Sequence, residues 1–237
     1  MEQPRQDRLR RAARELALHI AIDGPAGSGK STIGRELARM LDCTYLDTGL
    51  MYRAVTWLAQ RAGTLPTDAG ALAEFACATS FDTMPPPSDS ILVNGLAMGQ
   101  ALRTPQIDAD VSAVSAHPAV RKILVQRQRE LAHNRCMVMV GRDIGTVVLP
   151  GAPVKLWITA SSDERARRRL AEKLEPGHIT VDKVRAEIEA RDRFDSHRPT
   201  SPLVRAADAI TIDTDTLSEE DVLDRAARVV EGKILSP

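Results

Sequence analysis

The chain has little of three things that would place it in a common class: net charge, cysteine and long apolar runs. Thirty-two basic residues balance 32 acidic ones, so no overall field draws the 237-residue protein to nucleic acid or to a membrane surface. No apolar stretch is long enough to span a bilayer, and no internal repeat is visible. We therefore expect neither nucleic acid nor membrane as a partner, and a local site for any anionic ligand.

The three cysteines, Cys43, Cys77 and Cys136, are an odd number at wide spacing. They form neither a CxxC pair nor a cysteine–histidine cluster at metal-ligand spacing. This pattern argues against disulfides and against zinc. It predicts reduced thiols in a cytoplasmic protein.

One octapeptide is more informative than any other segment: residues 24–31 match the phosphate-binding loop GxxxxGK(S/T). Its glycines let backbone N–H groups surround phosphate oxygens, Lys30 adds a point charge, and the Ser31 hydroxyl is a ligand for Mg²⁺. An apolar run precedes the motif and a helical pattern follows it, as such a loop requires. The predicted ATP-binding residues are Gly24, Pro25, Ala26, Gly27, Ser28, Gly29, Lys30, Ser31 and Thr32.

The arginine-rich start of the chain resembles the basic region of a signal peptide. However, the apolar run that follows is short and ends at Asp23, where the phosphate-binding motif begins. We therefore interpret residues 1–17 as a solvated helical extension. Acidic residues dilute its charge and no aromatic residue offers a stacking surface, which disfavours a nucleic-acid-binding arm.

Strand-like and helical segments alternate along most of the chain, which predicts an α/β protein of three layers, α/β/α, around a five-stranded parallel sheet. The candidate strands are residues 18–23, 43–46, 136–140, 154–159 and 209–213. Residues 64–103 break the alternation, because two apolar runs flank Asn94-Gly95, a strong hairpin signal. We expect a small antiparallel insertion there, within one domain over residues 18–237.

Arginines cluster at positions that the predicted sheet brings together. Two lie just after predicted strands, Arg53 within residues 46–53 and Arg142 beside Asp143, at the edge where ligands of such sheets bind. Others recur at helical spacing: Arg165, Arg168 and Arg169, then Arg191, Asp195 and Arg198. A single charged run usually marks a solvated helix face. The combination instead indicates phosphoryl transfer, which needs fixed cations around the transferring group.

These segments resemble the bacterial cytidylate (CMP) kinases, a group of the P-loop nucleoside monophosphate kinases. The resemblance covers about residues 18–231 and rests on five segments in order: 24–31, 46–53, 141–150, 160–165 and 191–209. It implies transfer of the γ-phosphoryl group of MgATP to CMP, and to dCMP, with release of ADP. It also implies a monomeric cytoplasmic enzyme, and a mobile lid over about residues 160–197 that excludes water.

The resemblance also implies a role for individual residues. Arg53, Arg142 and Arg198 would hold the acceptor phosphate; Ser112, Arg121 and Asp143 would contact cytosine; and Asp195, supported by Arg191, would hold the sugar. The implied CMP-binding set is Asp47, Thr48, Arg53, Ser112, Arg121, Arg142, Asp143, Arg191, Asp195 and Arg198. The implied catalytic set is Lys30, Arg142, Arg168 and Arg198, with Ser31 as the metal ligand.

Two residues depart from the pattern of the family. An acidic residue usually precedes Gly-Arg-Asp, where it can orient the magnesium shell, but this chain has Val140. Ser31 and phosphate oxygens could hold Mg²⁺ with several waters, and Asp143 would assist if it points inward. Leu50 stands where a small residue is common, which we expect to alter packing only.

Two other functions fit the motif and stay open at this point. One is a kinase for another small acceptor, such as UMP, AMP or shikimate. The other is a nucleotide-dependent regulator or inactive binding protein. This alternative stays open because Val140 stands where the family usually has an acidic residue.

Overall fold

The computed structural model describes residues 3–85, 88–171 and 180–234. Its strands are β1 (His19–Asp23), β2 (Thr44–Asp47), β3 (Phe81–Thr83), β4 (Ile91–Val93), β5 (Leu96–Met98), β6 (Met137–Gly141), β7 (Val154–Thr159) and β8 (Ile210–Asp213). Its helices are α1 (Gln3–Glu15), α2 (Lys30–Leu41), α3 (Thr48–Arg61), α4 (Ala69–Ala78), α5 (Pro105–Ala116), α6 (Pro118–Ala132), α7 (Ser162–Ala171), α8 (Val181–His197) and α9 (Glu219–Ile234). A 3-10 turn covers Gln100–Leu102 and a π-helical turn covers Ile144–Val148.

The main sheet has five parallel strands in the order β2-β6-β1-β7-β8. This confirms the predicted sheet, with strand ends within one residue of those expected from the short apolar runs. All strands point the same way, so their carboxyl ends share one edge. That edge carries Asp23, Asp47 and Gly141, which begin three of the loops around the site.

Helices cover both faces of the sheet, which confirms the three-layer architecture. Alternate residues of β6 point to opposite layers: Val138 and Val140 pack with residues of α1, α2 and α9, whereas Met137 and Met139 pack with residues of α3, α5 and α6. Among the described residues, no helix has the length and apolarity that crossing a membrane requires.

The predicted hairpin at Asn94-Gly95 is confirmed within a three-stranded antiparallel sheet of order β3-β4-β5. Both turn residues have positive φ, 50° and 80°, as the tight turn between right-twisted strands requires. The sequence did not predict α4, which precedes this sheet. Pro86 and Pro87, and residues 172–179 of the expected lid, lie outside the described residues.

The prediction of a solvated amino-terminal extension is wrong in one respect. Residues 3–15 are helical, as expected, but α1 packs against α2 and α9. Leu9 and Ala13, one helical turn apart, are buried in the core, and the Nε of Arg10 donates a hydrogen bond to Met40 O at 2.8 Å. The short apolar stripe is sufficient to fix the helix on the domain.

The prediction of reduced thiols is also wrong, because Cys43 and Cys136 form a disulfide with their Cα atoms 4.9 Å apart. Each cysteine directly precedes a strand, and those strands, β2 and β6, are neighbours in the sheet. Their sequence separation of 93 hid this proximity in the sequence. Cys77 is free and exposed.

Candidate active site

The phosphate-binding loop joins β1 to α2. Gly24, Gly27 and Gly29 have φ values of 148°, 73° and 85°, which residues with a Cβ rarely adopt. Gly24 also passes so close to the carbonyl of Ile158 that a Cβ there would collide with it. The glycines of the motif are therefore required by the path of the backbone, which turns the N–H groups at the start of α2 toward the cleft.

Lys30, the first residue of α2, folds back over the loop. Its Nζ donates hydrogen bonds to Pro25 O at 2.5 Å and to Ser28 Oγ at 3.2 Å. Burial lowers the pKa of Lys30 well below its ordinary value, and the nearby positive charge of Arg142 lowers it further. A phosphate beside this amine would favour its charged form, so the site is suited to an anion.

Ser31 and Asp47 place two oxygen-bearing side chains, which could bind a metal, at the end of the phosphate-binding loop. The Ser31 hydroxyl donates a hydrogen bond to Asp47 Oδ2 at 3.0 Å. The other carboxylate oxygen, Oδ1, accepts from Gly49 N at 3.0 Å and so caps α3. Hydroxyl and carboxylate oxygens are the hard ligands that Mg²⁺ prefers, so these residues fit the metal that ATP chemistry uses.

On the opposite side of the cleft, arginines and aspartates form a buried network. Arg121 Nη2 lies 2.5 Å from Asp143 Oδ2, and Arg198 Nη2 lies 3.8 Å from the other oxygen of Asp143. Arg142 Nε donates to Asp195 Oδ2 at 3.2 Å, and Arg198 Nη1 lies 3.7 Å from Asp195 Oδ1. Asp143 therefore faces Arg121 and Arg198 rather than Ser31.

This network leaves polar donors without partners. Within the described part of the chain, Arg121 Nε, Arg191 Nε, Arg198 Nη2 and the Tyr52 hydroxyl are buried and have no hydrogen-bond partner. Burial lowers the pKa of Arg191 to about 10, with Arg142 adding to the effect. Buried donors are usually satisfied, so several unsatisfied arginine nitrogens in one cleft are suited to bind an anionic ligand.

Asp108, on α5, is a residue of this site that sequence reasoning missed. Its carboxylate lies 2.5 Å from Arg53 Nη2, 3.1 Å from Arg169 Nη2 and 3.8 Å from Arg191 Nη1. Burial alone would raise the pKa of Asp108, but Arg53 and the other arginines hold it below its usual range. In the sequence, an acidic residue in the first turn of a helix is ordinary and carries no signal of this role.

Asp23, at the end of β1, is a second missed residue. Its two carboxylate oxygens accept hydrogen bonds from the backbone N–H groups of Ile144 and Gly145, at 2.8 and 2.7 Å. Burial raises the pKa of Asp23 to about 6, against the effect of those hydrogen bonds. Asp23 thereby fixes the loop that carries Arg142 and Asp143. An acidic residue closing an apolar run next to the motif was the available signal.

Helices α7 and α8 lie within the expected lid. They contact the side of the cleft that carries the phosphate-binding loop, which we call the donor side. Arg168, on α7, donates from Nη1 to Thr214 Oγ1 at 2.9 Å and from Nη2 to Thr214 O at 2.7 Å. Arg165, on the same helix, forms an ion pair with Asp192 on α8 and donates to Ala26 O at 3.0 Å. Both lid helices therefore reach the phosphate-binding loop or its surroundings.

Val140 is buried, with 1% of its surface exposed, and packs in the core beside α2. Its carbonyl accepts a hydrogen bond from the Thr48 hydroxyl at 2.9 Å, so the side chain of Thr48 is engaged with the backbone of β6. The position before Gly-Arg-Asp contributes no oxygen from its side chain to the cleft.

The predicted residues meet in one cleft of about 1180 Å³. Ser112 on α5 lines it together with Arg121, whose Nη1 donates to Ser115 O at 3.1 Å. All predicted site residues except Gly24 and Pro25 line this cleft: Ala26, Gly27, Ser28, Gly29, Lys30, Ser31, Thr32, Asp47, Thr48, Arg53, Ser112, Arg121, Arg142, Asp143, Arg168, Arg191, Asp195 and Arg198. The carboxyl edge of the sheet thus brings the predicted ATP-binding residues and the predicted CMP-binding residues together.

Known proteins resemble this chain over most of its length. It is 46% identical over 213 residues to the cytidylate kinase of Desulforamulus reducens, covering 90% of this chain and 96% of that protein. It is also 46% identical over 222 residues to the bifunctional pantoate ligase/cytidylate kinase of Synechococcus elongatus. That match covers 90% of this chain but 42% of the relative, so the chain spans less than half of the bifunctional protein.

A solved structure supports the fold alone. An uncharacterised protein from Eubacterium ventriosum superposes with a TM-score of 0.52 at 11% identity, covering 91% of this chain and 98% of the other. The family model described as cytidylate kinase matches residues 20–232. With the phosphate-binding loop, the arginine network and these relatives taken together, the chain belongs to the cytidylate kinase family.

Proposed function

We propose that this chain transfers the γ-phosphoryl group of ATP to the phosphate of CMP, and of dCMP, giving CDP or dCDP and ADP. The carrying observation is that a phosphate-binding loop and a buried Arg121–Asp143 pair line the same cleft. Cytosine presents an amino donor beside ring acceptors, and a carboxylate with an arginine offers the complementary set. Uracil presents a carbonyl where cytosine has its amino group, so Asp143 would repel it.

The acceptor phosphate fits the arginines between the two halves of the cleft. We assign Arg53, Arg142 and Arg198 to that phosphate, because arginine pairs with planar or tetrahedral anions through two donors. Asp195, held by Arg142 and Arg198, is assigned to the sugar hydroxyls. Arg191 supports this group from α8, and Ser112 completes the contact with the base.

Transfer needs no general base in this scheme. The second pKa of a phosphate monoester is about 6, so the acceptor is largely dianionic at neutral pH and already nucleophilic. Lys30 and the arginines position the two phosphates and neutralise charge as it moves toward the leaving group. Ser31 and Asp47 are suited to hold Mg²⁺, which would supply further charge neutralisation on the phosphates. Arg168 and the lid helices would keep water out.

A coupled assay of ADP release with CMP, dCMP, UMP and AMP tests this function. We expect the highest kcat/KM with CMP and dCMP, and loss of turnover in Lys30→Met. Equal turnover with AMP or UMP would support a kinase of different acceptor specificity. Absence of CDP formation, with Lys30→Met indistinguishable from the unmodified chain, would support a regulatory binding protein instead.

We also propose a monomer that acts in the cytoplasm, where its substrates ATP and CMP are available. The balance of 32 basic and 32 acidic residues supports the absence of a nucleic-acid or membrane partner. Light scattering of the purified protein, with and without ATP, checks the oligomeric state.

A further inference from the structure

The magnesium site poses a specific question in this chain, because Val140 occupies the position where the family pattern has a carboxylate. Val140 is buried among apolar side chains, and a Cβ added to neighbouring Gly34 would collide with it. The side chain of Val140 therefore offers no oxygen to a metal. The second protein ligand, beside Ser31, has to come from elsewhere if the metal is held as firmly as the chemistry requires.

The strand register provides a replacement. In the pairing of β2 with β6, Asp47 is the direct partner of Val140, so the two residues stand at the same level on adjacent strands. A carboxylate is therefore present one strand away from Val140, at the same level of the sheet. Asp47 Oδ1 is used to cap α3, which leaves Oδ2 directed at the Ser31 hydroxyl, 3.0 Å away.

Three other carboxylates near the loop are engaged elsewhere, among them Asp192, which accepts from Ala26 N and pairs with Arg165. Both oxygens of Asp23 accept backbone hydrogen bonds from the turn after β6. Asp143 lies 2.5 Å from Arg121 and also faces Arg198. Among the described residues, the contact of Asp47 Oδ2 other than that with Ser31 is long, since Arg103 Nη2 lies 3.5 Å away.

We infer that Asp47 supplies the carboxylate of the magnesium shell, together with the hydroxyl of Ser31, in place of the missing acidic residue at position 140. The inference rests on the proposed function, since it concerns the metal that accompanies ATP. It assigns Asp47 to the donor side of the cleft, as a positioning residue for MgATP, in addition to its capping of α3. It also gives the Ser31–Asp47 hydrogen bond the role of a preformed pair of oxygen ligands.

The test measures metal dependence of nucleotide binding rather than turnover. Calorimetric titration gives the affinity for ADP with Mg²⁺ and with EDTA, and the ratio of the two is the enhancement by the metal. Asp47→Asn keeps an oxygen for Gly49 N but removes the charge. We expect the enhancement to fall about 10-fold or more, as for other groups that orient a metal, while metal-free ADP affinity is retained.

Asp68→Asn, a change in the aspartate that caps α4 away from the cleft, is the matched control, and we expect it to leave the enhancement by Mg²⁺ unchanged. Asp47→Ser, which also caps a helix, replaces Asp47→Asn if that variant melts at a much lower temperature. A further variant, Asp47→Asn combined with Val140→Asp, returns a carboxylate to the neighbouring strand and should recover part of the enhancement.

An enhancement preserved in both Asp47→Asn and Asp47→Ser would overturn the inference while leaving the donor site intact. Failure of the unmodified chain to bind ADP under either condition would instead contradict the proposed function. The two failures are therefore distinguished within the same titrations.

Discussion

The carboxylate of Asp192 accepts a hydrogen bond from the backbone N–H of Ala26 at 3.1 Å, which joins α8 to the phosphate-binding loop. The backbone carbonyl of Ala26 accepts a hydrogen bond from Nη1 of Arg165, which also forms an ion pair with Asp192. Both polar groups of Ala26 are thus held by the two lid helices. We therefore propose that movement of α7 and α8 is coupled to the conformation of the loop through this contact.

Asp192→Ala is expected to weaken that coupling. We predict a loss of about 10-fold in kcat for CMP phosphorylation, corresponding to one charge-assisted hydrogen bond, and a rise in ADP release without CMP because water enters. Asp192→Asn, which keeps an acceptor for Ala26 N–H, should be affected less. Asp182→Ala, whose side chain lies on the same helix and is 81% exposed, is the control and should behave as the unmodified protein.

Arg121→Ala and Asp143→Ala should each damage the use of CMP far more than the binding of ATP. Loss of a charged hydrogen bond costs about 1.5–3 kcal/mol, which corresponds to about 10- to 100-fold in kcat/KM. Arg127→Ala, an exposed change on the same helix as Arg121, is the control. An equal loss for CMP and UMP would contradict the base-reading role, provided that melting curves show both variants folded.

We propose that Asp108 competes with the acceptor phosphate for Arg53, with which it forms an ion pair. We expect Asp108→Asn to lower the KM for CMP about two- to fivefold, since a half-buried ion pair of this kind is worth about 0.5–1 kcal/mol. Asp110→Asn on the same helix, which affects a contact with Gln60, serves as the comparison. A higher KM in Asp108→Asn would mean that the carboxylate orients Arg53 rather than occupying the place of the phosphate.

Asp23 is predicted to give stability an unusual dependence on pH. Burial raises its pKa to about 6, above the ordinary value for aspartate, so the folded protein holds this proton more tightly than the unfolded chain. Its contribution is therefore fully present below about pH 4 and is lost as the pH rises through about 6. Asp143 adds to the rise, whereas the backbone donors and Lys30 oppose it.

Urea denaturation at pH 4 and pH 7 measures this effect. The stability of the unmodified protein relative to Asp23→Asn should decrease by up to about 3 kcal/mol between the two pH values, at about 1.4 kcal/mol per pKa unit. A relative stability that is constant or increases with pH would show that Asp23 is ionised throughout.

The disulfide predicts a definite thiol count. Titration of the denatured protein should find one reactive thiol before reduction, that of Cys77, and three afterwards. Replacing both Cys43 and Cys136 with serine should lower the free energy of unfolding by about 2–4 kcal/mol, because the bond closes a long loop. Cys77→Ser should leave stability unchanged, and three thiols before reduction would refute the bond.

The sequence predicted the features that depend on local pattern. Buried parallel strands are short apolar runs, so their ends could be located within one residue, and the glycines of the loop mark backbone that only glycine adopts freely. The position of arginines in the cleft could also be predicted from the sequence. Arg53 and Arg142 each follow a strand, and the strands of a parallel sheet end at one edge.

Contacts between elements that are distant in the sequence could not be predicted from it. Asp108 reaches Arg53 across 55 residues, through the packing of α5 on α3, and no periodicity in either helix indicates that pairing. The disulfide similarly depends on which strands are neighbours. Asp23 was read as the end of a strand, because its partners are backbone groups that no sequence pattern reveals.

Helix α1 changes where the folding unit starts. The family match begins at residue 20, after this helix, although Leu9 and Ala13 pack on the helix whose first residues are Lys30 and Ser31. A chain shortened to the matched residues would expose the outer surface of α2 to solvent, because the packing of α1 on α2 would be removed. The helix that precedes the family match thus packs on the nucleotide-binding end, and the boundary drawn by the family match leaves out part of the hydrophobic core.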